Sequence, residues 1–101
     1  MDIIQQLNLI KDNKVSETEA KRILESCYSL QDSETLDLRI HILHEQLITS
    51  PSPIIRAAAV SGLRIIHNEE TLRHLRQAWV REEDQRLKIF IRKVLDELLR
   101  G

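Results

Sequence analysis

The chain has 101 residues, 42% of them hydrophobic and 31% charged, which suffices for one compact domain spanning 1–101 and is too short for two. The formal net charge of −1 and the single cysteine exclude a globally basic polyanion binder and an internal disulfide. Two Gly, two Pro and 3% aromatic residues leave few turn signals for a many-stranded β protein, so the core is expected to be aliphatic and helical.

Ile3, Ile4, Leu7 and Ile10 recur on one helical stripe over residues 2–11, and Asp12-Asn13-Lys14 reads as a break. Ser16 and Glu19 have capping-box spacing, in which the hydroxyl takes the third amide of the helix and the carboxylate reaches back. Ala20, Ile23, Leu24, Cys27, Tyr28 and Leu30 then form a broad apolar face, predicting a helix over 16–30. Gln31-Asp32-Ser33 supplies the next cap. The helix over 33–48 carries Leu36, Ile40, Leu43 and Leu47 on one face, with Leu38 and Ile42 on another. That second face implies neighbours on two sides, or an exposed binding strip.

Ser50-Pro51-Ser52-Pro53 is the clearest punctuation. A residue before proline is pushed away from helical angles, while Pro53 suits the first turn of a new helix. Ile54 to Ile66 is apolar nearly all round, with Arg56 and Arg64 as a narrow wet band, so this helix is expected to be central and buried. Ala57, Ala58, Ala59, Ser61 and Gly62 allow close approach of its neighbours. Gly62 costs about 1 kcal/mol against alanine in a helix interior, which close packing would offset. His67-Asn68 closes this helix and Asn68 caps the next, where Leu72, Leu75, Ala78 and Trp79 share a face over 69–82. Glu82-Glu83-Asp84 then places acids at the positive end of a last helix over 85–100, with Leu87, Phe90, Ile91, Val94, Leu95, Leu98 and Leu99 on one side.

A shift of 32 residues aligns three of these helices. Ile23, Ile55 and Leu87 correspond, as do Cys27, Ala59 and Ile91, Arg56 and Lys88, and Leu63 and Leu95. A two-helix unit recurring at this interval marks an α-solenoid. The stretch Ser50-Pro51-Ser52-Pro53-Ile54-Ile55-Arg56-Ala57-Ala58-Ala59-Val60-Ser61-Gly62-Leu63 resembles the first helix of a HEAT-like repeat: a polar loop with proline, an apolar residue, arginine, small residues and leucine. Asn68-Glu69-Glu70-Thr71-Leu72-Arg73-His74-Leu75 is similar to the short turn and second helix of that family, and Glu83-Asp84-Gln85-Arg86-Leu87-Lys88 to the start of another unit. The match is good over 50–98, weaker over 16–48 and absent before 15. The last unit departs from the pattern, carrying Ile89, Phe90 and Ile91 where alanines are usual. The resemblance implies a scaffold that binds proteins, or sometimes nucleic acids, on the surface lined by second helices. Some relatives in that family are bilin lyases or DNA glycosylases, and no functional residue of theirs is matched here.

Chemistry is sparse. His41 and His44 stand three apart with Glu45 beside them, but no third ligand has compatible spacing and no HExxH motif occurs. The histidines are therefore read as surface or partly buried side chains. Cys27 on an apolar face reads as inert. Glu69-Glu70 and Glu82-Glu83 sit at helix starts, where the macrodipole explains them.

Charge is uneven along the chain. Residues 1–50 hold five Lys/Arg against nine Asp/Glu (net −4), and residues 51–101 hold ten against seven (net +3). Arg73, Arg76, Arg81 and Arg86 form the densest basic run, near Trp79, which suggests phosphate contacts with base stacking as an alternative.

The expected fold is all-α, a short right-handed superhelix of antiparallel helix pairs with about five to six helices. The expected function is a non-catalytic protein-interaction or scaffold module rather than an enzyme, with no cofactor or metal. Its partner is a protein of unknown identity, with a homodimer through an end face as one form. Nucleic-acid binding through the C-terminal arginines, or a role as accessory subunit of a lyase-type enzyme, are the alternatives. The candidate partner-binding residues are Leu38, His41, Ile42 and Glu45 together with Arg73, Arg76, Gln77 and Val80. With no basic, apolar leader and no membrane-length run, a cytoplasmic protein is expected.

Overall fold

The helices that begin near residues 17, 53, 69 and 85 start where a side chain or a proline resolves unpaired amides of the first turn. The helix that begins at Leu36 is instead entered through Thr35, which makes no side-chain cap hydrogen bond, and not directly from the expected cap ending at Ser33. A computed structural model describes residues 3–12, 14–27 and 33–100. The side chains of Ile3, Ile4 and Cys27, and all of Asn13, Tyr28, Leu30, Gln31 and Asp32, lie outside what it describes. The helices are α1 (Ile3–Lys11), α2 (Glu17–Cys27), α3 (Leu36–Thr49), α4 (Pro53–Ile66), α5 (Glu69–Arg81) and α6 (Gln85–Arg100), with a 3₁₀ turn, Ser33–Thr35, leading into α3. No strand occurs among the described residues.

Ser16 Oγ accepts from Glu19 N at 3.2 Å, so half of the expected capping box forms. The Glu19 carboxylate turns to Arg22 instead, whose Nε is 3.1 Å away. Ser52 accepts from Ile55 N, and Pro53 occupies the first turn of α4. The Ser52 hydroxyl also donates to Glu17 at 2.6 Å, pinning the start of α4 to the start of α2. At α5 the box is complete: Asn68 Oδ1 accepts from Thr71 N at 2.9 Å, and Thr71 Oγ1 accepts from Asn68 N at 2.8 Å. Asp84 caps α6 through Leu87 N at 3.0 Å. Between α4 and α5, His67 adopts a left-handed conformation, φ 46°, a position that usually falls to glycine.

The helices form two layers. In one, α4 lies between α2 and α6; in the other, α3 lies between α1 and α5. Across the layers α1 meets α2, α3 meets α4, α4 meets α5 and α5 meets α6. Connections of two or three residues at 50–52, 67–68 and 82–84 make successive helices antiparallel. The Cα envelope measures 37 × 28 × 16 Å, and its thin dimension is close to the roughly 14 Å of two helix layers about 9 Å apart with a backbone radius of about 2.3 Å on each side.

The core runs along the seam. Ile23, Ile55 and Leu87, each 32 residues apart, are all buried, as are Ala59 with Ile91 and Leu63 with Leu95. Leu7, Ile10, Leu24, Ile40, Leu43, Leu47 and Leu75 complete the same cluster. α4 touches four helices, as a central element must. Its wet band is wider than expected, however. Ile54 is 50% exposed and Ile65 is also exposed, because α4 has neighbours on either side and beneath but none outside its own layer.

Candidate interaction surface

The outward residues of α3 and α5 form a continuous face, since these helices are adjacent in one layer. Two histidines make its joint. The His44 and His74 rings stack with centroids 3.6 Å apart and planes 17° from parallel. His74 Nε2 stands 3.5 Å from Glu70 Oε1, while His74 Nδ1 and His44 Nε2 are buried with no hydrogen-bond partner. Burial lowers the pKa of both rings below the ordinary histidine value. For His44 the charges of His74, His41 and Arg81 add to that depression and Glu70 opposes it. For His74, Glu70 pulls the other way and Arg73 assists the lowering. Both rings are therefore neutral near pH 7. Their near-parallel planes also disfavour a shared metal ion, because a ring nitrogen's lone pair lies in its own plane and two planes only 17° apart in direction meet far from either ring. Among the described residues no group of three or more His, Cys, Asp or Glu is placed to hold a metal.

Five of the eight expected contact residues are exposed: His41, Arg73, Arg76, Gln77 and Val80. Glu45 is half-buried and meets His41 Nε2 at 3.5 Å. Ile42 is a correction. It is 3% exposed and belongs to the core, because α3 has α1 on one flank and α5 on the other. Leu38, likewise, is half-buried against the core and is no free anchor. The second apolar stripe of α3 thus reflects two neighbours and not a binding strip. His41 and His44 are not brought together as ligands, since one faces solvent and the other turns to α5.

At the C-terminal ends of α3 and α5 lies a hollow of about 210 Å³, lined by Leu47, Ile48, Ala78, Arg81 and Glu82 among others. Arg56 forms part of its wall and pairs two-pronged with Glu82, Nε to Oε1 at 3.0 Å and Nη2 to Oε2 at 3.1 Å. Arg56 Nη1 also donates to the Ser50 carbonyl at 2.8 Å. Every charged group of this knot is consumed by holding the α3–α4 and α5–α6 connections together.

Trp79 is half-buried against the core. Its ring is covered by Lys88 Nζ at 5.0 Å and Arg92 Cζ at 5.5 Å from the centroid, a cation–π arrangement that leaves it unsuited to base stacking. On the opposite layer a second hollow, about 390 Å³, is lined by Pro53, Ile54, Ala57, Leu87 and Phe90 with Asp84 and Arg86 at its rim.

Sequence reasoning missed the histidine stack and the Arg56–Glu82 pair. A signal for the first existed: His44 and His74 are 30 residues apart, close to the repeat interval, on the core-side flank of successive second helices. No comparable signal marks Arg56 and Glu82, which are joined only when two connections fold onto one edge.

No family model, no curated protein and no solved structure matches the chain. No helix among the described residues is long and apolar enough to cross a membrane.

Proposed function

We propose that this chain is a HEAT-like, non-catalytic interaction module that binds a protein partner on the α3–α5 face. The carrying observation is the strip on α5 where Arg73, Arg76 and Gln77 surround Val80, at 71% exposure the most exposed large hydrophobic among the described residues. A monomeric surface tolerates single apolar side chains. One ringed by long polar side chains, on the exposed face of a helix stack, has the makeup of an apolar contact with a charged rim. The alternative of nucleic-acid binding loses its stacking group, since Trp79 is half-buried and covered by Lys88 and Arg92.

The test is affinity capture from native lysate with three baits: the wild-type chain, a Val80→Asp variant, and an Ile54→Asp variant altered on the opposite layer. A protein retained by wild type and Ile54→Asp but lost by Val80→Asp supports the reading. Loss on Ile54→Asp alone moves the interface to the other layer. Retention by all three, or by none, ends it.

A further inference from the structure

We infer that the strip formed by Arg73, Arg76 and Arg81 around Val80 takes an acidic protein segment carrying an aliphatic anchor. This rests on the interaction-module reading and names the chemistry of its partner.

Charge pairing is the first argument. Four arginines elsewhere are matched with carboxylates: Arg22 with Glu19, Arg56 with Glu82, Arg64 with Glu97, and Arg92 with Asp96. Arg86 and Arg100 have no such partner among the described residues, but they stand singly on α6. On α5, three arginines in nine residues have no carboxylate within ion-pair distance among the described residues, and all three are exposed. Glu70, one turn before His74, is engaged with that ring and not with Arg73. Three exposed arginines within nine residues of one helix favour a positive local potential that the −1 net charge of the whole chain conceals.

Geometry is the second. At about 100° per residue, Arg73 and Arg76 fall within about 40° of Val80 around the helix, on the side away from the core. Along the axis they lie about 10 Å and about 6 Å before it, at 1.5 Å per residue. Arg81 follows directly, at the rim of the hollow that also exposes Ile48. A segment laid along α5 therefore meets guanidiniums in succession and an aliphatic contact among them. Carboxylates suit this array because guanidinium forks bind them two-pronged.

A nucleic-acid backbone fits less well. Phosphates would use the arginines but leave Val80 and Ile48 without a partner. Glu69 and Glu70 at one end of α5, and Glu83 beyond the other, cut the basic strip short. A short acidic segment fits between those ends, whereas a continuous phosphate track runs into them.

The experiment is selection of a displayed random-peptide library on the intact chain. Asp/Glu-rich peptides with an embedded aliphatic residue are expected to be enriched. Their binding should weaken at least about tenfold in an Arg73→Glu, Arg76→Glu double variant, whose helical content is checked by circular dichroism. It should also weaken with rising salt. Enrichment of neutral or basic peptides overturns the inference, as does failure to enrich any peptide. Acidic peptides that bind the charge-reversed variant undiminished overturn it too. Neutral peptides that still depend on Val80 would leave the interaction-module reading standing while removing its acidic partner. A single-stranded oligonucleotide is run in parallel. If it binds more tightly than the selected peptides and loses that binding on charge reversal, the strip is a phosphate site and the inference fails.

Discussion

His44 and His74 lie face to face across the α3–α5 joint, two neutral imidazoles 3.6 Å apart with one buried, unpartnered nitrogen each. Protonating either ring works against its burial, and protonating both sets two positive charges 3.6 Å apart. His41 on α3, and Glu70, Arg73 and Arg81 on α5, are the charges that act on it. α4 beneath presents only uncharged residues among its fully buried positions. Burial lowers both folded pKa values, so the unfolded chain binds more protons once pH falls below about 6.5. Stability contributed by the pair is thus intact above that pH and declines as pH drops through the window beneath it. Urea midpoints measured at pH 7.5 and pH 5.5 should show the fall in wild type. A His44→Phe variant, which keeps a flat ring but cannot titrate, should show a smaller one. An equal fall in both would remove the stack as its source.

The Arg56–Glu82 pair is the second point of fragility. With side chains only 16% and 6% exposed, removal of one partner leaves the other charge stranded. Arg56→Ala should cost about 3 kcal/mol in chemical denaturation. Arg64→Ala, which breaks an exposed pair with Glu97, should leave the midpoint unchanged within error.

Ile42 and Val80 were grouped by sequence on one surface, and the fold separates them. Ile42→Ala removes buried aliphatic volume and should destabilise by about 3 kcal/mol. Val80→Ala should leave stability nearly untouched. Thermal melts of the two variants distinguish core from surface directly.

Ala59 has no exposed area where α4 meets its neighbours. A leucine there has no volume to enter without moving a helix. Ala59→Leu should therefore lower stability by about 2 kcal/mol, read as a drop in urea midpoint at unchanged helical content.

His67 carries the left-handed turn that ends α4. A side chain with Cβ is disfavoured there by about 1 kcal/mol, partly offset by the extra freedom glycine has when unfolded. His67→Gly should stabilise the chain by about 0.5 kcal/mol, and His67→Val should do the reverse in the same denaturation assay.

The starts of three helices were legible because their determinants are local; α3 begins at Leu36, three residues later than expected, after a 3₁₀ turn. Pro53, the Asn68 cap and the acidic entry to α6 each act within one turn, and α4, α5 and α6 begin where those residues put them. The two-layer arrangement was legible as well, through apolar residues recurring every 32 positions along α2, α4 and α6. The candidate surface was legible only in part. Periodicity separates the faces of one helix, yet it cannot say whether a second apolar face has a neighbour, and for Ile42 on α3 it does.

What the residues settled unaided is therefore the all-helical character, the starts of α4, α5 and α6 and the seam, since these follow from propensity, capping and amphipathic spacing within short stretches. Three things waited for the packed chain: the burial of Ile42, the face-to-face histidines, and the clasp between Arg56 and Glu82. Each depends on which surfaces come within a few ångströms of each other, and distances between remote segments are set by how whole helices seat together.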